Sequence, residues 1–125
     1  MASDVAKLGV KHIFASDLSR AVETAQIINR ELGFEIVLDE RLREVNFGDF
    51  EGRLRETITA EDWDQFNEDP KKFNAEGLED VFNRVKSFFD DLVAAKIDNA
   101  VIVCHGTSKT LALLSGSRFN FGQMF

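Results

Sequence analysis

The chain has 125 residues, 44% of them hydrophobic and 30% charged, with a net charge of −7 from 22 acids against 15 bases. That length suits one domain over 1–125, and the balance excludes a chain disordered throughout. The acidic excess argues against nucleic-acid binding, and the longest apolar run, Ala100 to Cys104, falls far short of the roughly 20 residues that span a membrane.

Ser3 to Leu8 reads as a short helix stopped by Gly9, and Val10 to Ala15 as a strand. A helix is expected from about Asp17 to Leu32, with Ala21, Val22, Ala25, Ile28 and Leu32 on one face and Gly33 just past its end. Phe34 to Leu38 suits a second strand. Asp39 to Arg53 reads as loop, and a weaker helix follows near Thr59 to Asn67, before Pro70. Leu78 to Ala95 is the clearest helix, with Leu78, Val81, Phe82, Val85, Phe88, Phe89 and Leu92 marking its buried face. Asn99 to Cys104 is a short apolar strand of the buried type. His105 and Gly106 then form a turn, and Thr107 is expected to cap a final helix reaching about Leu114. This alternation predicts an α/β domain with a parallel sheet.

In such sheets ligands bind outside the carboxyl ends of the strands. Two strand-to-helix turns qualify, Ser16-Asp17 and His105-Gly106-Thr107. Each supplies a helix N-terminus whose unpaired N–H groups suit an anion. Arg20 lies in the first turn of its helix, where a cation opposes the dipole. It is either a solvated arginine or an anion ligand. His105 is either a strand-end cap or an imidazole aimed at a phosphate. His12 lies about 13 Å before Ser16 at roughly 3.3 Å per residue, so it belongs to the opposite end of the sheet and reads as structural.

Other chemistries are excluded. A phosphate-binding P-loop needs glycine directly before its Lys-Thr pair, and Ser108 precedes Lys109-Thr110. A cysteine-phosphatase loop needs an arginine six residues after Cys104, where Thr110 stands. One cysteine permits no internal disulfide, and two histidines at opposite ends of a sheet make no metal site. No cofactor is implied. Nothing near Met1 resembles a signal peptide, so the cytoplasm is the expected compartment.

Four blocks in order resemble the histidine phosphatase superfamily, which includes the cofactor-dependent phosphoglycerate mutases. IFASDLSRAVETAQII matches its first block through Ser16, Leu18, Arg20, Ala21, Thr24 and Ala25. LREVNFGDFEG matches the next through Leu42, Glu44, Gly48, Glu51 and Gly52. AEGLEDVFNRV keeps Glu76, Val81, Arg84 and Val85 of the third, with Ala75 and Gly77 replacing the usual Gly and Ser. VIVCHGTSKTLAL resembles the late strand ending in His105-Gly106.

The resemblance implies a three-layer α/β/α fold with a mainly parallel sheet. It implies that Arg20 holds a transferred phosphate, that His105 hydrogen-bonds it, and that Glu44 moves a proton at the leaving oxygen. Gly106 and Thr107 would add phosphate contacts, with Ser16 and Glu76 as further members of the site. The implied partner is a small phosphorylated molecule. The implied activity is phosphomonoester hydrolysis or phosphoglycerate mutase-type transfer, and the modest stretch from Arg53 to Asn74 leans toward a small phosphatase.

The family's Arg-His-Gly, which carries the nucleophilic histidine, does not occur; His12 and His105 are the only histidines. The chain therefore reads as N-terminally truncated, missing the first central strand and predicted inactive alone. The resemblance is taken to put that strand between Val10–Ala15 and Asn99–Cys104, leaving a slot roughly 10 Å wide. Collapse of the two strands, pairing with Arg118 to Phe125, or self-association would close it. The alternative reading is a non-catalytic remnant of this fold that binds a phosphate or a protein.

Overall fold

The computed structural model describes residues 11–97, 99–108 and 110. The expected helix at Ser3–Leu8, the final helix past residue 110 and the spare strand at Arg118–Phe125 lie outside the described residues.

Three strands form one sheet in the order β2-β1-β3, all parallel. They are β1 (Ile13–Ala15), β2 (Ile36–Leu38) and β3 (Val101–Val103). Each is shorter than the segment expected for it, because the ladder pairs only three residues on either side of β1. The slot expected between the first and last strands does not exist. Ile13 lies opposite Val101, Phe14 opposite Ile102 and Ala15 opposite Val103. Two β-branched, buried segments satisfy each other's backbone directly, which removes the cost of unpaired N–H and C=O groups. Self-association through an empty position between them loses its basis.

The period of two along each strand divides the core. Ile13, Ala15, Val101 and Val103 face α1 (Ser19–Leu32), where Ala21, Ala25 and Ile28 are buried at helical spacing. Phe14 and Ile102 face the other way, onto α3 (Leu78–Ala94), through Val81, Val85, Phe88, Phe89 and Leu92. Helices on both faces give the three layers. α1 ends at Gly33 in the left-handed region, φ 69°, with its N–H donating to Asn29 O at 2.8 Å. Leu78, expected on the buried face of α3, is 63% exposed. It is the first helical residue, and side chains lean toward the N-terminus, so it projects off the layer.

The stretch from Asp39 to Arg53 is irregular but built. It contains single 3-10 turns at Glu40–Leu42 and Gly48–Phe50, and Leu42 and Val45 enter the α3 core. A satellite cluster of Phe50, Ile58, Phe66 and Ala75 packs with Phe47, Trp63 and Phe73. It rests on α2 (Ala60–Glu68), whose capping Thr59 accepts a hydrogen bond from Asp62 N at 3.1 Å. Among the described residues, no helix is long and apolar enough to cross a membrane.

Candidate functional site

Both strand-to-helix turns lie at the carboxyl ends of adjacent strands, and the ladder brings them together. Ser16 N extends it, donating to Val103 O at 2.9 Å. Ser16 is buried, and its Oγ shares a 2.9 Å hydrogen bond with His105 Nε2 while accepting from Leu18 N at 3.3 Å. The imidazole is thereby held against the start of α1. Leu18 is extended at the N-cap position. The first turn of α1 carries neither a side-chain cap nor an acid, and Arg20 within it is exposed.

The backbone is already helical at Gly106. Thr107 thus lies inside the first turn rather than capping it. Ser108, fully buried, does the local bonding: its Oγ accepts from His105 N at 3.1 Å and lies within hydrogen-bond distance of Leu42 O. The N–H of Thr107 points instead at Glu44 Oε2, 3.4 Å away, and Glu44 Oε1 accepts from Val45 N at 3.0 Å. A carboxylate at a helix N-terminus is favourably placed against its dipole.

Arg20, Glu44, His105 and Gly106 line one cavity of about 310 Å³, with Thr24 and Cys104 in its wall. Burial lowers the His105 pKa below its ordinary value; the Glu44 charge opposes this, and the charges of Arg20 and Arg84 reinforce it. His12 sits at the other end of β1, exposed and stacked on Phe14, and contributes nothing here.

Glu76 lies outside this cavity. Its carboxylate accepts from Arg84 Nε at 2.9 Å and from Asn46 N at 2.9 Å, and these bonds hold its pKa below the usual carboxylate range against the effect of burial. The residue that sequence reasoning left without a role is Arg84. Besides Glu76, it donates to the carbonyls of Arg41 and Arg43 at 2.8 Å and of Glu44 at 3.1 Å. With Nη2 also bonded to Glu76 Oε1 at 3.0 Å, all five of its N–H donors are engaged. Arg84 thus pins the segment that presents Glu44. A second latch joins that segment to the β1–α1 turn: Arg43 Nε and Nη2 each donate to Asp17 at 2.6 Å. A fork of this kind is worth most when both bonds are made together.

The assembly is an α/β fold with a guanidinium, an imidazole and two helix starts around one small opening, and a carboxylate at its rim. Such a set suits a tetrahedral oxyanion. Among the described residues, no group of three His, Cys, Asp or Glu could hold a metal ion.

Residues 1–121 match the model of the histidine phosphatase superfamily, branch 1, and the chain belongs to that superfamily. It is 35% identical over 112 residues to a protein of Hydrogenobacter thermophilus described as a putative phosphoserine phosphatase 2, covering 85% of this chain and 55% of the relative. It is also 35% identical over 106 residues to a probable phosphoglycerate mutase, GpmB, of an Enterobacter species, covering 79% and 49%. The chain thus spans about half the length of these curated relatives. The fold resembles a mycobacterial glucosyl-3-phosphoglycerate phosphatase solved with VO3, at TM-score 0.78 and 27% identity, covering 91% of this chain and 62% of that one. YhfR of Bacillus stearothermophilus gives TM-score 0.78 and 27% identity, covering 95% and 62%.

Proposed function

We propose that this chain holds the phosphoryl group of a small phosphomonoester for histidine-phosphatase chemistry. Arg20 binds two equatorial oxygens as a fork, the Gly106 N–H binds a third, and the Thr107 N–H joins it as Glu44 turns from it to the leaving oxygen. His105 donates toward the charge that develops on these oxygens, and Ser16 fixes its ring. Glu44 gives a proton to the leaving oxygen, within a segment clamped by Arg84. The observation that carries this reading is the single cavity shared by Arg20, Glu44, His105 and Gly106. The names of the relatives, phosphatases and mutases of phosphorylated small molecules, support the same class.

A second reading, a non-catalytic phosphate-binding protein, is favoured by the sequence itself, since the 125 residues contain no Arg-His-Gly. The two readings share the site and differ in turnover. Titration of the chain with orthovanadate or inorganic phosphate, followed by isothermal calorimetry, tests the site. Saturable binding lost in Arg20→Ala is expected; binding indifferent to Arg20 would sink both readings.

A further inference from the structure

We infer that the ester group presented at this site is an uncharged alcohol with an apolar, ring-sized face, and that compact phosphorylated hydroxy acids are poor ligands. The inference rests on the phosphate reading above. A second cavity, of about 490 Å³, shares Arg20 and Glu44 with the first. That volume falls in the range of roughly 300–1,000 Å³ that suits small-molecule ligands. With the phosphate at Arg20 and its bridging oxygen toward Glu44, the ester group has this second cavity as its place.

The walls there define what fits. Leu18 and Phe47 supply apolar surface. Glu51 adds a carboxylate, fixed where its Oε1 accepts from Phe47 N at 2.7 Å. Two cations line the cavity, and both already have a partner once the phosphate is bound. Arg20 is taken by the phosphate, and Arg43 is committed to Asp17 through two bonds of 2.6 Å. Among the described residues, an ester group bearing a carboxylate would face the Glu51 carboxylate, with Glu44 holding the proton for the leaving oxygen and no unpaired cation to answer it. Like-charge juxtaposition of this kind selects against a ligand more strongly than any added contact selects for one. An uncharged aromatic or alicyclic alcohol meets Leu18 and Phe47 instead.

The test uses the whole chain, with binding as its readout. Phenyl phosphate and 3-phosphoglycerate each compete against inorganic phosphate in calorimetric titrations at pH 7.5. Phenyl phosphate is expected to bind at least about fivefold more tightly than 3-phosphoglycerate. Leu18→Lys, which adds a cation to the wall, should narrow that ratio at least about fivefold, and Glu51→Gln should narrow it without changing the size of the cavity. Equal or reversed affinities with inorganic phosphate still bound overturn this inference and leave the phosphate site standing. A ratio unmoved in both variants does the same. Failure of inorganic phosphate to bind overturns the phosphate reading and this inference together.

Discussion

Ser16 Oγ lies 2.9 Å from His105 Nε2, joining the residue after β1 to one just after β3 across 89 positions of sequence. The buried hydroxyl also accepts from Leu18 N, so one atom orients both the imidazole and the start of α1. Ser16→Ala leaves that N–H and the imidazole without their partner. It is expected to cost about 1–2 kcal/mol in urea unfolding and to weaken phosphate binding severalfold. Unchanged affinity at reduced stability would separate Ser16 from the site.

His105 carries the pH dependence. Burial lowers its pKa, and Arg20 and Arg84 add to that effect, so the ligand-free imidazole is neutral at pH 7. A dianion bound against it favours the imidazolium. Sulfate, a tetrahedral dianion that does not titrate between about pH 5 and 8, should therefore bind more tightly as pH falls, by at most about tenfold per unit. The His105 ring proton should titrate by NMR below about 6.5 without sulfate and at higher pH with it. The stability effect has the opposite sense. The unfolded chain binds this proton more readily than the folded one, so His105 lowers stability as pH falls from about 6.5 to its folded value. A sulfate affinity flat with pH, and unaltered in His105→Asn, would remove the imidazole from the site.

Arg84 presents Glu44 through main-chain carbonyls rather than through its carboxylate. Arg84→Lys keeps the charge but cannot reach Glu76 and the carbonyls of Arg41, Arg43 and Glu44 together. A loss of about 2–4 kcal/mol in urea unfolding is expected, because the three carbonyls and the Glu76 carboxylate lose donors at a largely buried position. Glu76 contributes stability that is present above the usual carboxylate range and is lost as pH falls through its lowered folded value. Glu76→Gln should accordingly flatten the acid limb of the stability profile.

Gly48 turns the chain between the Glu44 segment and the satellite cluster. Its φ is +56°, and a β-carbon there would strike the backbone of Phe73 and Asn74. Both the left-handed conformation and the contact oppose any side chain. Gly48→Ala should lower stability by about 1–3 kcal/mol in a thermal melt, while Gly33→Ala, strained in φ but with open space around it, should cost less. Equal losses at the two positions would refute the role of the contact.

What was legible in the sequence follows from range. The face of α3 from Val81 to Leu92 repeats at helical spacing, and the burial of each residue is written in its own neighbourhood. Arg20, Glu44 and His105 stand out as candidates because their motifs are local, and the structure brings the three to one cavity. The direct pairing of β1 with β3 was not, since three paired residues separated by 88 positions leave no local signal, and the resemblance pointed to a slot instead. Arg84 matches the third block without announcing a function, for a related reason. Its partners are mainly main-chain carbonyls, which every residue has, so no pattern of side chains announces them. Glu76 is a candidate through the third block of the resemblance, and, paired with Arg84 eight positions on, it is the counter-ion of the clamp.

The last prediction concerns turnover. A phosphoenzyme route needs a nucleophile in line with the leaving oxygen. Among the described residues, His105 and Cys104 are the imidazole and the thiol that line the cavity proposed for phosphate. His105 is bonded through Nε2 to buried Ser16, which orients it as a donor to equatorial oxygens rather than as an attacking group. Cys104 follows a buried strand and is half-covered, and its loop lacks the arginine that a cysteine phosphatase uses. His12, the other histidine, lies at the far end of β1. The purified 125-residue chain is therefore expected to bind phosphate yet hydrolyse phenyl phosphate no faster than buffer. The measurement is phenol release over hours at 25 °C, with His105→Ala and Cys104→Ser run in parallel. Turnover abolished in one of these variants, with phosphate binding intact, would make that residue a substitute nucleophile and end the non-catalytic reading of the isolated chain.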